Sequence, residues 1–377
     1  MGRVVLVTGV SMDLGRRFAR AVAADPGVDR VIGVDVVPPR GDLGDVRFIR
    51  ADIRNPVITK VIAGEGVDTV AHLSVVANPR SVGGRTSMKE LNVIGTMQLL
   101  AACQRAPGLR HLVVKSSTAV YGSTSRDPAM FTEDMAPKAI PRSGYAKDAA
   151  EVEGYVRGFA RRRPDVTVTM VRAANSIGPR VNTPTTQYFR LPVVPTVLGF
   201  DARLQFLHET DLLDVLHHAL TAGVHGTFNV AGDGVLMLSQ AVRRLGRPAL
   251  PLPPFALSSV GRFMHQARLA DFSAPQIAYL TYGRGVDTTR MREVLGFEPR
   301  YTTEEAFADF AANLGPGLVT PERVAAVEQG LVDALNRSAA PGSGASASGA
   351  GDSGSADVAG PGLESSAAGR TEGEPRG

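Results

Sequence analysis

The chain has 377 residues, of which 44% are hydrophobic and 21% are charged, and its formal net charge at pH 7 is +4. This is the composition of a globular protein with a substantial core. The single cysteine excludes an internal disulfide, and the lack of any run of about 20 apolar residues excludes a membrane-spanning helix. The basic residues are five lysines and many dispersed arginines, a pattern that argues against a nucleic-acid-binding surface.

The first half of the chain alternates short runs rich in valine and isoleucine with amphipathic segments. The strand candidates are residues 3–8, 30–35, 46–52, 68–73, 110–116 and 166–172. Helical patterns begin near Leu14, Pro56, Ser87 and Lys147. Continuous apolar strands separated by helices are typical of a parallel sheet that is covered on both faces. We therefore predict an α/β fold with a doubly wound parallel sheet of the Rossmann type.

The regular alternation ends after Arg172, where several prolines interrupt the pattern. A strand-like QFLH, a helix from Thr210, the strand GTFNVAG and the helix TTEEAFADF follow. We predict a dinucleotide-binding domain at residues 1–180 and a smaller substrate lobe at 181–337, which returns one helix-strand unit to the main sheet. Residues 338–377 are rich in Gly, Ala and Ser, so we expect this tail to be disordered.

A glycine-rich turn, T-G-V-S-M-D-L-G at residues 8–15, connects the first strand to a helix. Such a turn aims free backbone N–H groups at a pyrophosphate. The next strand ends at Asp35, 20 residues after Gly15, where a carboxylate binds the adenosine ribose and repels a 2′-phosphate. This favours NAD over NADP, although Arg16 and Arg17 argue the other way. A solvated strand end is the alternative for Asp35.

These features resemble the extended short-chain dehydrogenase/reductases, in the NAD-dependent nucleotide-sugar epimerase/dehydratase branch. The chain has Gly9 and Gly15 of the pattern T-G-x-x-G-x-x-G, but Met12 replaces the middle glycine. In the family that glycine lets the phosphate approach the backbone closely, because it has no side chain. Further matches extend from about residue 3 to about residue 315, and the overall pattern is most similar to the UDP-glucose 4-epimerase-like group of the actinobacterial type. The matching segments are ADIRNP, VAHLS, LNVIGTMQLL, SSTAVYG, RAANSIGPR, LQFLHETDLLDVL, GTFNVAGDG and DTTRMREVLGFEP.

The resemblance assigns cofactor-binding positions along the first half of the chain. The glycine turn would hold the pyrophosphate, the acid after the third strand would contact adenine, and the asparagine of N-x-x-G-T would support the active-site strand. The residues that match these positions are Gly9, Met12, Gly15, Asp35, Asp52, Ile53, Leu73, Asn92 and Lys147.

The family carries out its chemistry with a Tyr-x-x-x-Lys pair on a long helix and an upstream serine or threonine. A spacing of four stacks both side chains on one helix face. The lysine lowers the pKa of the tyrosine, so the phenolate can take a proton from a substrate hydroxyl while hydride moves to NAD. Here Lys147 and Ser117 match, but Ser143 occupies the tyrosine position. Tyr145 is two residues from Lys147, about 200° around a helix, and can share its face only if the helix begins later.

We interpret Ser117, Tyr145 and Lys147 as candidate catalytic residues and Asn175 as a candidate substrate-binding residue. The favoured hypothesis is a cytoplasmic, NAD-dependent nucleotide-sugar epimerase or dehydratase, of the isomerase or lyase class, with a UDP-sugar 4-epimerase first. No metal, nucleic acid or membrane partner is expected, and a homodimer is one assembly that the hypothesis allows.

Two alternatives stay open. One is a catalytically silent NAD-binding regulatory or scaffold protein, which the replacements Met12 and Ser143 favour. The other is a reductase that acts on a small non-sugar carbonyl.

Overall fold

Strands and helices alternate along the computed structural model, which describes residues 2–137, 141, 143–253 and 273–315. The strands are β1 (Arg3–Thr8), β2 (Val28–Asp35), β3 (Val46–Arg50), β4 (Thr69–His72), β5 (His111–Ser117), β6 (Thr167–Ala173), β7 (Asn175–Ile177), β8 (Val194–Val197), β9 (Arg203–Leu204), β10 (Phe206–His208), β11 (Gly226–Val230), β12 (Leu236–Met237) and β13 (Ala249–Leu252). The helices are α1 (Asp13–Ala23), α2 (Val57–Gly64), α3 (Arg85–Lys89), α4 (Thr96–Gln104), α5 (Gly144–Arg162), α6 (Pro184–Phe189), α7 (Glu209–Ala222), α8 (Leu238–Arg244), α9 (Ala274–Tyr282), α10 (Thr289–Glu293) and α11 (Thr303–Ala312).

The main sheet has seven strands in the order β11-β6-β5-β4-β1-β2-β3, and every neighbouring pair is parallel. The strand order reverses between β1 and β4, because the chain runs outward from β1 to β3 and then returns to the other side of β1. In doubly wound sheets this reversal opens a crevice at the carboxyl ends of the strands, and ligands bind there. The predicted doubly wound parallel sheet is confirmed.

The core lies on the two faces of this sheet. Helices α1 and α7 cover one face, where Phe18 and Leu216 are fully buried against the strands. Helices α2, α4 and α5 cover the other face. Helix α5 turns an apolar stripe to the sheet, with Val152, Val156 and Phe159 at the spacing of four and three that places side chains on one helix face.

The region after β6 builds smaller sheets and a separate apolar cluster around Phe189, Phe206 and Phe307. The predicted helix from Thr210 is α7, which begins at Glu209, and the strand that follows, β11, joins the edge of the main sheet beside β6. The tail predicted to be disordered, residues 338–377, lies outside the described residues.

Within the described residues, no helix is both long enough and apolar enough to span a membrane.

Candidate active site

A cavity of about 1200 Å³ opens at the carboxyl ends of β5 and β6, beside the strand reversal. The loop after β4, the end of β5, the first turn of α5, the residues after β6 and helix α9 contribute its walls. Typical small-ligand pockets measure about 300–1000 Å³. This cavity therefore has room for two ligand moieties side by side.

The glycine turn connects β1 to α1 at the same carboxyl edge of the sheet, and its residues are not among the described residues that line the cavity. A β-carbon on Gly15 would lie 2.2 Å from the carbonyl oxygen of Gly9, so the start of the helix packs directly on the strand end. Met12 is the N-cap of α1, in an extended conformation, and its side chain makes no capping hydrogen bond. The N–H groups of the first helical turn thus lack a side-chain cap and can bind an anion.

Asp35 lies at the end of β2, and its carboxylate faces the glycine turn. It accepts hydrogen bonds from the Ser11 backbone N–H (3.0 Å) and the Ser11 hydroxyl (2.6 Å). Asp52 follows β3 and is bridged to Arg54, with 2.7 Å between Arg54 Nη2 and Asp52 Oδ2. That hydrogen bond lowers the pKa of Asp52. Both acids lie at the edge of the sheet where the predicted adenosine half of the cofactor would bind.

The other predicted cofactor residues are buried and hold the framework. Ile53 and Leu73 are 3% and 5% exposed. Asn92 lies in a π-helical turn, Glu90–Gly95, between α3 and α4. Its side chain accepts from the Val76 N–H (2.8 Å) and donates to the Val76 carbonyl (2.9 Å). Asn92 therefore fixes the loop after β4, which forms one wall of the cavity.

Ser117 and Tyr145 come together in the cavity. Ser117 ends β5, and Tyr145 is the second residue of α5. Gly144 makes this entry into the helix possible, because its φ of 69° is one that other residues rarely adopt. Burial raises the pKa of Tyr145 to about 12, and a side-chain hydrogen bond with Ser117 acts against this increase.

The structure does not bring Lys147 to the cavity. Helix α5 already begins at Gly144, so Tyr145 and Lys147 are both helical and point to different sides. The Lys147 Nζ atom lies 3.6 Å from Glu151 Oε1 on the solvent side of the helix, and 42% of its side chain is exposed. Tyr145 and Lys147 could share a face only if the helix began after Tyr145, and it begins before that residue. Ser143, which the sequence analysis assigned to the family's tyrosine position, is the N-cap of α5 and lines the cavity.

A buried ion pair locks α5 to the sheet beneath the site. Arg172 on β6 donates to Glu153 on α5 at 2.7 Å, and the Ser116 hydroxyl donates to the same carboxylate at 2.7 Å. Glu153 is 2% exposed. Since removal of one member of a buried pair typically costs about 3–5 kcal/mol, this lock fixes how Tyr145 approaches β5.

Three cavity residues were predicted or missed for different reasons. Asn175, the predicted substrate residue, begins β7 and lines the cavity. Arg284 was missed. Its guanidinium donates to the Gly122 carbonyl at 2.9 Å, and its buried Nε has no hydrogen-bond partner among the described residues. Lys115 on β5 was also missed, and its signal was a lysine inside an otherwise apolar strand run.

The charge of the cavity wall has one sign. Among the described lining residues, the charged side chains are Arg85, Lys115 and Arg284, and none is an aspartate or glutamate. Arg85 is neutralised by the buried Asp148, with 2.6 Å between Arg85 Nη1 and Asp148 Oδ2. The remaining positive charge suits a ligand that carries phosphate or another anionic group.

Residues 5–231 match the model of the NAD dependent epimerase/dehydratase family. An uncharacterized protein of Mycobacterium tuberculosis is 48% identical over 330 residues, which cover 85% of this chain and 87% of the relative. A dTDP-glucose 4,6-dehydratase of Xanthomonas campestris is 25% identical over 347 residues, with 80% and 90% coverage.

The fold also matches solved structures. A UDP-glucose 4-epimerase of Thermotoga maritima, crystallised with UDP-glucose, superposes with a TM-score of 0.61 over 82% of this chain and 98% of that chain. The two sequences are 18% identical, so this likeness concerns the fold.

Proposed function

The chain belongs to the NAD dependent epimerase/dehydratase family, whose cofactor is NAD, and we propose that it epimerises or dehydrates a nucleotide sugar by transient hydride transfer. A UDP-sugar 4-epimerase is our first candidate. The observation that carries the proposal is the contact between Ser117 and Tyr145 inside a cavity whose unneutralised charges are positive. A hydroxyl pair supplies the proton chemistry, and the cations match a diphosphate.

The residues around the strand reversal fit a dinucleotide. The side-chain-free contact between Gly15 and Gly9 lets the first turn of α1 present its N–H groups to a pyrophosphate. Asp35 would accept hydrogen bonds from the adenosine ribose, and its charge favours NAD over NADP. NAD, when bound, supplies a hydride acceptor and donor for the sugar carbon.

Tyr145 would act as the base that takes the proton from the sugar hydroxyl, and it would return the proton in the reverse step. Ser117 would hold the same substrate oxygen by a hydrogen bond. Burial raises the pKa of Tyr145 to about 12, and the hydrogen bond with Ser117 and the positive charge of Arg284 act against this increase. Asn175 and Arg284 would hold the substrate on the opposite wall.

The rival hypothesis is an NAD-binding protein without activity. Met12 and Ser143 favour this rival because both depart from the family pattern. The position of Tyr145 favours the enzyme. Although residue 143 is a serine, the Tyr145 hydroxyl lies in the cavity and can serve as the base instead. The cytoplasm and a homodimer remain our expected location and assembly.

Purified protein should be titrated with NAD by calorimetry and then incubated with NAD and a panel of UDP- and dTDP-sugars. Product sugars should be identified by NMR spectroscopy. We expect NAD binding and conversion of at least one sugar. Binding without conversion of any sugar would support the silent binder, and the absence of NAD binding would contradict both hypotheses.

A further inference from the structure

Lys115 occupies an unusual place on the central sheet. It lies on β5, two residues before Ser117, so both side chains face the same side of the sheet, with their Cα atoms about 6–7 Å apart. Both residues line the cavity. The chain has five lysines and a large excess of arginines, and one of these few lysines lies within an apolar strand run.

The Lys115 ammonium makes no ion pair or hydrogen bond with the described residues, and its side chain is mostly buried. Burial lowers the pKa of Lys115 to about 8. A buried ammonium without a counter-charge destabilises a folded protein unless a ligand supplies one. Such a group at a cavity wall is a candidate for binding or chemistry.

The other lysine considered for this site is turned away. Lys147 is paired with Glu151 on the outer face of α5. Arg85 is neutralised by Asp148 and also donates to the Gly144 carbonyl at 3.0 Å, which ties it to the start of α5. Arg284 is held by Gly122 on another part of the wall. The end of β5 thus has one free cation among the described residues, and that cation is Lys115.

We propose that Lys115, rather than Lys147, is the lysine that binds the nicotinamide-ribose half of NAD beside Tyr145. This assignment rests on the proposed function, because it presupposes that NAD binds at the strand reversal. In this assignment the cation lies on strand β5 instead of helix α5. The tyrosine, in turn, lies two residues after the position that the family pattern predicts. In this role the Lys115 ammonium donates a hydrogen bond to the cofactor.

Lysine acylation tests this assignment without any turnover. The full-length protein is treated with acetic anhydride, with and without NAD at about ten times its Kd, and each lysine is quantified by peptide mass spectrometry. NAD should reduce the acylation of Lys115 about tenfold, because only the free protein exposes that amine. Acylation of Lys147 should change less than twofold.

Variants provide the second readout. Lys115→Met should weaken NAD binding, measured by calorimetry, by at least about tenfold, which corresponds to a lost hydrogen bond from a charged group. Lys147→Met is the matched control and should bind NAD within about twofold of the parent. Lys115→Arg should retain more affinity than Lys115→Met. The melting temperature of Lys115→Met should not fall, because the substitution removes an unpaired buried charge.

Protection of Lys147 instead of Lys115, or parental NAD affinity in Lys115→Met, would overturn the assignment and leave the proposed function intact. A lower melting temperature in Lys115→Met, with parental affinity in the folded fraction, would indicate a structural lysine and would also overturn it. A parent protein that binds no NAD would contradict the proposed function, and this assignment with it.

Discussion

The carbonyl oxygen of Gly9 lies where a side chain on Gly15 would have to be placed, since a β-carbon there would be only 2.2 Å away. The residue that follows β1 and the first turn of α1 are thus in direct backbone contact. This contact places the helix N-terminus at the strand reversal, where the pyrophosphate is proposed to bind.

Gly15→Ala should lower the free energy of unfolding by about 2 kcal/mol, the usual cost of overpacking, and should weaken NAD binding. Gly154→Ala is the control, because Gly154 lies inside α5 with nothing within 4 Å of a new β-carbon. That change should stabilise the protein by up to about 1 kcal/mol. Urea unfolding measures both. Equal stability of the two variants would show that the turn tolerates a side chain.

Asp35→Arg should weaken NAD binding by at least about tenfold and NADP binding by less, because the substitution exchanges a ribose acceptor for a phosphate-binding group. Asp29→Arg makes the same charge change at the opposite end of β2, on an exposed residue, and should leave both affinities unchanged. Calorimetric titration with each cofactor gives the comparison. An equal loss for NAD and NADP would separate Asp35 from the ribose.

His72 should make stability depend on pH. Its ring contacts Thr8 Oγ1 at 2.9 Å and Thr96 Oγ1 at 2.8 Å, and burial lowers the pKa of His72 to about 4. The unfolded chain, with a histidine pKa near 6.5, takes up a proton that the folded chain refuses. Stability should therefore fall as the pH drops from about 6.5 towards 4, by about 2 kcal/mol at pH 5 from this residue.

A second buried histidine also contributes to this dependence of stability on pH. Burial also lowers the pKa of His111 to about 4, so His72→Gln should remove only part of the pH dependence between pH 7 and pH 5. Urea unfolding at pH 7 and pH 5 measures this dependence. An unaltered slope in His72→Gln would contradict the assignment of the pH dependence to His72.

The strands of the main sheet could be read from the sequence to within about two residues, because uninterrupted runs of valine and isoleucine suit only strands that are buried on both faces. The start of α5 was harder to locate. The helical pattern indicated a start near Lys147, whereas the positive φ of Gly144 begins the helix three residues earlier. The chain has many glycines, and the sequence does not show which of them begins a helix.

The site was predictable only where it is local in sequence. Ser117, Tyr145 and Asn175 follow from motifs at strand and helix ends, and all three line the cavity. The contact of Arg284 with Gly122 spans 162 residues, and no periodicity connects such positions. Lys115 was overlooked because matching by position favoured Lys147, and the sequence did not show that helix α5 begins as early as Gly144.

Restoring the family's spacing should be harmful in this chain. The double substitution Ser143→Tyr with Tyr145→Ala places a tyrosine four residues before Lys147, but Lys147 lies outside the cavity, and the tyrosine in contact with Ser117 is lost. We expect turnover of the sugar to fall by about 10²-fold or more. A gain of activity would show instead that the parent protein is the silent form and that the family spacing was required.

The role of Tyr145 is the central claim, and Tyr145→Phe tests it most directly because it removes one hydroxyl. The matched control is Tyr155→Phe, which removes the same group from a 40% exposed position on the same helix. Turnover of the nucleotide sugar identified in the panel should be measured for both, together with NAD affinity. We predict a loss of about 10²- to 10⁴-fold in Tyr145→Phe, with NAD binding retained, and parental turnover in Tyr155→Phe. Parental turnover in Tyr145→Phe would contradict the account.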